Sequence, residues 1–211
     1  MKDLNKIRIR SDDELRMQNL GLKELSQILN KKEIKHYITG GTLLGAIREK
    51  NFIKWDWDVE ITVLTDQIFN IKDEFSDLFL KSNFQVSKYV DKYDSLKWKL
   101  TKYNCTYEIM GYYREGKWMY RLGKDYKVPA DFFDKPSDLF FLGNLYKTVS
   151  EPKKYLDFCY GNWQIPIRST NKKRYLTLSH RPGFKIHNII FQKIKNILVK
   201  FKKMIITKDK F

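Results

Sequence analysis

The sequence predicts an α+β fold: a mixed, mainly antiparallel sheet with flanking helices and a basic helix toward the C-terminal end. Three observations predict it. Apolar residues recur at helical spacing in two segments before residue 80. Short alternating segments then follow one another between residues 84 and 122, with turns rather than helices between them. Between the two helical segments, GGTLLGAIREKNFIKWDWDVEITV (40–63) reads as a glycine turn, a short helix, a loop and a strand.

Residues 1–10 are basic and read as loosely held. Ser11-Asp12-Asp13-Glu14 has the form of a capping box, opening a helix to about Lys31 with Leu15, Leu22, Leu25 and Leu29 on one stripe. A short strand over 35–39 feeds Gly40-Gly41, a turn closed to residues with a Cβ, and Thr42 is placed to cap a helix beginning near Leu43. On the next strand Val59, Ile61 and Val63 point one way and Asp56, Asp58, Glu60 and Thr62 the other, with Trp57 facing away from the acids. Thr65-Asp66 caps a second amphipathic helix with Ile68, Ile71, Phe75, Leu78 and Phe79 inward. Strands are expected over 84–90, 96–100, 106–112 and 117–122, with a hairpin turn within 111–116. An edge strand follows over 145–149, and Ser150-Glu151-Pro152 opens a helix that stops at Gly161. In 184–211, Ile186, Ile190, Ile194, Ile197, Phe201 and Met204 recur at helical spacing among lysines. The chain therefore divides into a domain over 1–183 and a basic amphipathic tail over 184–211.

A length of 211 residues with 42% hydrophobic and 15% aromatic residues suits one packed domain with extensions and excludes a disordered chain. The net charge of +16 implies an anionic partner: nucleotide, nucleic acid or acidic membrane surface. Cys105 and Cys159 are too few for a disulfide framework and read as buried thiols, and His36, His180 and His187 lack metal-ligand spacing. No run of 18 apolar residues and no signal-like N-terminus occur, so a cytoplasmic protein is expected.

The acidic strand carries the chemistry. Residues two apart on one strand face lie about 7 Å from each other. Carboxylates lined up on a half-buried face repel, which is costly unless a hard cation offsets them. A helix start preceded by glycines presents free N–H groups and a partial positive charge, which suits a phosphate. Gly-Gly alone is more often a plain turn. Facing a row of acids, it points to nucleotide-dependent phosphoryl transfer.

The order Gly40-Gly41-Thr42-Leu43-Leu44-Gly45-Ala46-Ile47-Arg48, then Phe52-Ile53, then Trp55-Asp56-x-Asp58-Val59-Glu60, resembles the LicD-type phosphotransferases, which include fukutin-related proteins. Asp58-Val59-Glu60-Ile61 and Tyr107-Glu108-Ile109 fit the acids of the wider nucleotidyltransferase-fold superfamily, and Pro152, Tyr155-Leu156, Tyr160-Gly161-Asn162-Trp163 and Pro166 resemble the family's ending. The resemblance spans about residues 36–166 and implies a nucleotidyltransferase-like fold. It implies Mg²⁺ or Mn²⁺ held by Asp58, Glu60 and Glu108, with Asp56 or Glu108 as base. The helix start at Gly40, Gly41 and Thr42 is expected to hold a diphosphate, and Arg48 to contact phosphate. The implied donor is CDP-activated, typically CDP-choline or a CDP-linked polyol, and the acceptor a glycan or glycolipid. The chain departs from the pattern at Trp57, usually Asp, at Glu60 and Glu108, commonly Asp, at Lys54, commonly Pro, and at Glu49-Lys50-Asn51, commonly His-Lys-Gly. Glu for Asp keeps the charge and lengthens the arm.

Two other functions fit parts of the pattern. A nucleotidyltransferase keeps the fold and moves NMP to RNA, protein or a small molecule. A basic nucleic-acid-binding domain accounts for the charge, but aligned acids repel phosphate, so nucleic acid is the weaker partner. Lys97 and Lys99 flank Trp98 on one strand face, a basic wall for phosphate or, more often, surface lysines. Trp55 and Trp163 read as core. The tail either packs on the domain or lies in an anionic membrane interface, where family acceptors are often carried on lipid.

Overall fold

The computed structural model describes residues 8–168. Helix α1 (Asp12–Lys31) starts at a complete capping box, with Ser11 and Glu14 each satisfying the other's backbone N–H. Its stripe of Leu15, Leu22, Leu25 and Leu29 is buried. The segment before it is anchored rather than loose at its last residue: the Arg10 N–H donates to the Lys54 carbonyl, and Arg10 Nε donates to the Asp56 carbonyl at 2.7 Å.

Then follow β1 (His36–Ile38), α2 (Gly40–Arg48) and β2 (Asp58–Leu64). The second predicted helix is broken into α3 (Thr65–Ile68), a 3-10 turn (Phe69–Ile71) and α4 (Lys72–Lys81). Neither α3 nor α4 has a side-chain cap, and the isoleucines at Ile68 and Ile71, stiff at χ1, sit at the joints where the backbone leaves helical angles. Ile68, Phe75 and Phe79 are nonetheless fully buried.

The remaining elements are β3 (Gln85–Val90), β4 (Lys97–Lys102), β5 (Cys105–Glu115), β6 (Trp118–Arg121), β7 (Tyr126–Pro129), α5 (Asp131–Asp134), β8 (Ser137–Phe141), β9 (Asn144–Thr148) and α6 (Pro152–Tyr160). The sheet runs β3-β4-β5-β2-β1-β9-β8, with β6 and β7 branching from β5. The pairs β2–β5 and β1–β9 are parallel, and the other pairs are antiparallel. Two expectations about the sheet are corrected, and two strands are new. Strand β9 is not an edge, because β8 pairs on its far side. Strand β5 continues through Gly111 to Glu115, and the turn falls at Gly116-Lys117. Strands β7 and β8 were not anticipated, being four and five residues long and broken by charges.

The two sheet faces differ in chemistry. On one, Val59, Ile61, Trp98, Leu100, Tyr107 and Ile109 are fully buried. Helices α1 and α4 cover them: Trp98 Nε1 donates to Ser76 Oγ at 2.9 Å, and Tyr107 Oη to the Met17 carbonyl at 3.2 Å. Burial of each such side chain contributes about 1.5–3 kcal/mol. The opposite face carries Asp58, Glu60 and Glu108, and the start of α2 lies against it. The predicted tail over 184–211 lies outside the described residues.

Candidate active site

Strand β1 ends against α2 through Thr39, which is extended, and Gly40, at φ +58°. Only glycine adopts that left-handed angle without strain. Thr39 makes no cap, because its Oγ1 pairs with Thr62 Oγ1 at 2.7 Å. Thr42 is not the cap either. It sits within the first turn of α2, and its Oγ1 accepts the Glu60 N–H at 2.7 Å, tying the helix start to β2.

The free end of α2 faces the acids directly. Glu60 Oε2 accepts the Gly41 N–H at 2.5 Å. A Cβ on Gly40 would collide with the Glu60 carboxylate, and one on Gly41 with the Asp56 carboxylate. Asp56 lies in the turn before β2, where its N–H donates to the Ile53 carbonyl and its Oδ1 accepts the Trp57 N–H at 3.0 Å. The alternation therefore does not extend back to Trp57. Its ring is exposed and lies under Lys99 Nζ, 4.4 Å from the ring centroid, and Lys99 pairs across strands with Glu108 on the acid face. Trp57 thus sits at the rim of the acid face and not on the far side.

Parallel pairing of β2 with β5 sets Glu108 beside Glu60. Glu108 is buried, and its Oε2 lies 2.6 Å from Lys97 Nζ, a lysine only 18% exposed at its side chain. Lys97 is therefore part of the acid face and not a surface lysine. The structure brings Asp56, Asp58, Glu60 and Glu108 into mutual repulsion. Burial, then the charges of Glu60 and Glu108, pushes Asp56 up to about 7. Burial, then Glu60, Asp56 and Glu108, pushes Asp58 up to about 9.

Arg48 is not brought to this cluster. It lies in the last turn of α2, where Nε donates to Glu49 Oε1 at 2.7 Å and Nη1 to the Trp163 carbonyl at 2.9 Å. Trp163 itself is buried, as expected of a core residue. Sequence reasoning missed two arginines. Arg10 holds the Asp56 backbone, and Arg121, buried at the end of β6, lies 3.8 Å from Glu60 Oε1. Spacing carries no signal for either, since each meets the acids only through the fold.

The chemistry of these donors fits the hard divalent cation that the resemblance implies. All are carboxyl oxygens, and two of the acids hold protons into the neutral range or above because burial and their neighbours' negative charges outweigh the nearby Arg10 and Lys97. Among the described residues, no three Asp, Glu, His or Cys side chains converge to cage an ion as they stand. Glu60 is drawn to Gly41 and Arg121, and Glu108 to Lys97. Ligation by these two requires turning their side chains.

Residues 33–148, which contain α2 and all four acids, match the family model described as LicD/FKTN/FKRP, nucleotidyltransferase domain. An uncharacterized protein of Rickettsia typhi (strain ATCC VR-144 / Wilmington) is 27% identical over 157 residues, covering 72% of this chain and 43% of that protein. One of Rickettsia prowazekii (strain Madrid E) is 31% identical over 71 residues, covering 34% of this chain and 26% of that protein. The chain thus spans less than half the length of these curated relatives. Among solved structures, the lincosamide antibiotic adenylyltransferase LnuA with lincomycin bound is similar at TM-score 0.47 and 9% identity, over 71% of this chain and 86% of that one. The antibiotic-resistance factor ANT(2'')-Ia is similar at TM-score 0.48 and 11% identity, over 89% of this chain and 100% of that one.

Proposed function

Because the chain belongs to the LicD/FKTN/FKRP nucleotidyltransferase-domain family, we propose that it moves a substituted phosphate, such as phosphocholine or a polyol phosphate, from a CDP-activated donor to a glycan hydroxyl. The observation that carries this reading is the gathering of Asp56, Asp58, Glu60 and Glu108 at the glycine-led start of α2. Asp58, Glu60 and Glu108 would hold Mg²⁺ or Mn²⁺, which when bound neutralises charge on the donor's diphosphate. The Gly41 N–H and the start of α2 would orient that diphosphate. A carboxylate takes the proton of the attacking hydroxyl. Asp56, held at the edge of the acid cluster by Arg10 and the turn before β2, is one candidate for this task, with Glu108 as the other. The acceptor oxygen bonds to the phosphorus that bears the alcohol, and the bond from that phosphorus to CMP breaks.

A thermal-shift screen of CDP-linked donors with and without Mg²⁺ or Mn²⁺ tests the proposal, and stabilisation only when both are present is expected. Label in the donor's alcohol should then appear on the acceptor. Label in the cytidine moving instead would establish NMP transfer. No helix among the described residues is long and apolar enough to cross a membrane. The lysine-rich stripe over 184–211 supports peripheral binding at an anionic membrane surface, each lysine adding roughly 1 kcal/mol. Sedimentation of the full chain with anionic liposomes at low salt, lost when residues 182–211 are removed, checks that part.

A further inference from the structure

We infer that Arg121 is the anion-receiving residue of this site, and that Glu60 holds the place of a donor phosphate between Arg121 and the Gly41 N–H. The name of the anion rests on the proposed donor; the site itself rests on the groups around Arg121.

Arg121 reaches the acid face through strand pairing. Tyr113 faces Tyr120 across β5 and β6, which sets Arg121 beside Tyr112 on the face that carries Met110 and Glu108. There it is only 7% exposed. A guanidinium taken out of water is strongly penalised unless an anion meets it closely. This one is poorly met. Its Nε–H has no hydrogen-bond partner, and Nη1 points at the Met110 sulfur at 2.7 Å. Its ion pair with Glu60 Oε1 is long at 3.8 Å. Tyr112 and Tyr126 cover its plane, with ring centroids 5.3 and 4.6 Å from Cζ. A purely structural arginine is normally forked onto a carboxylate or carbonyls; this one keeps a donor in reserve.

Glu60 shows what the reserve is for. Its Oε2 accepts the Gly41 N–H at the start of α2, and its Oε1 faces Arg121. One carboxylate bridges a helix N-terminus and a guanidinium, the two groups that suit a phosphate. The same carboxylate is expected to turn toward a cation, and it cannot serve both at once. Cation binding at Glu60 therefore frees the Gly41 N–H and Arg121 together, and a phosphate that takes them favours Glu60 on the cation by the same factor.

Calorimetry on the full chain without divalent cations, with inorganic pyrophosphate and CDP as probes, tests this. Glu60→Gln should bind pyrophosphate about 10-fold more tightly than the wild type, because the competing charge is gone. Adding Arg121→Lys to that variant should remove at least that gain, since lysine keeps the charge and loses the fork. Circular dichroism verifies the fold; if Arg121→Lys does not fold, the Glu60→Gln arm alone decides. Pyrophosphate affinity unmoved by Glu60→Gln, or by Arg121→Lys in a folded chain, overturns the inference. Should pyrophosphate respond as expected while CDP binds no better than pyrophosphate, the donor reading fails and Arg121 stands. Should CDP-linked donors bind with metal while neither variant moves pyrophosphate, Arg121 alone fails.

Discussion

Lys97 Nζ lies 2.6 Å from Glu108 Oε2, with the two side chains only 18% and 9% exposed. A lysine that reads as surface in the sequence thus supplies positive charge beside the acids. Lys97→Met leaves Glu108 buried among like charges, and breaking a buried pair costs about 3 kcal/mol. The metal-free protein should melt on the order of 6–12 °C lower. Lys97→Met with Glu108→Gln should recover most of that loss. An unchanged melting temperature in Lys97→Met means the pair contributes nothing.

Removing one acid should separate stability from activity. Asp58→Asn lowers turnover by on the order of 100-fold or more, as loss of a charge-stabilising group does. Its metal-free melting temperature should hold near neutral pH, where Asp58 already keeps a proton, and rise above pH 9, where the wild type must carry that charge among the other acids. Near-wild-type turnover would remove Asp58 from the chemistry.

The pH dependence has a definite sign. Burial and neighbouring acids raise Asp56 to about 7 and Asp58 to about 9, so between pH 4 and 9 the folded chain binds more protons than the unfolded one. Stability from these groups is present at low pH and lost as pH rises through that window. The metal-free melting temperature should fall from pH 6 to pH 9, and Asp58→Asn should flatten the slope. A wild-type slope that the variant leaves unchanged assigns it to other groups.

A side chain at Gly41 must displace the Asp56 carboxylate, which its Cβ position meets. Gly41→Val should push Asp56 aside and abolish binding of a CDP-linked donor with Mg²⁺ in a chain that still folds. Calorimetry showing unchanged affinity would place the anion site elsewhere.

Much of the site was legible because it is local. The acids at positions 58 and 60 and the glycines at 40 and 41 lie within one short segment, and a period of two tells which strand residues share a face. That period does not tell where a strand begins, so Trp57 was assigned to the wrong side. Thr42 read as a cap because threonine before a helix usually is one; here Gly40 begins the helix and Thr42 bonds β2 instead. Arg48 read as a phosphate contact by its motif, and its hydrogen bonds go to Glu49 and Trp163.

By itself the sequence determined the α+β class, the capped and striped α1, the glycine-led α2 and the acid face of β2, all properties of neighbours within a turn or a pleat. Tertiary structure alone decided that Lys97 pairs with Glu108 and that Arg121 is buried against Glu60. The place of Glu108 beside Glu60 followed in sequence only from the family resemblance and is set by the pairing of β2 with β5. The physical reason is register. Periodicity sets the side of a strand on which a residue falls, whereas its neighbours across the sheet come from pairings between segments dozens of residues apart. A lysine or arginine reads as exposed until such a pairing supplies the anion that offsets its burial.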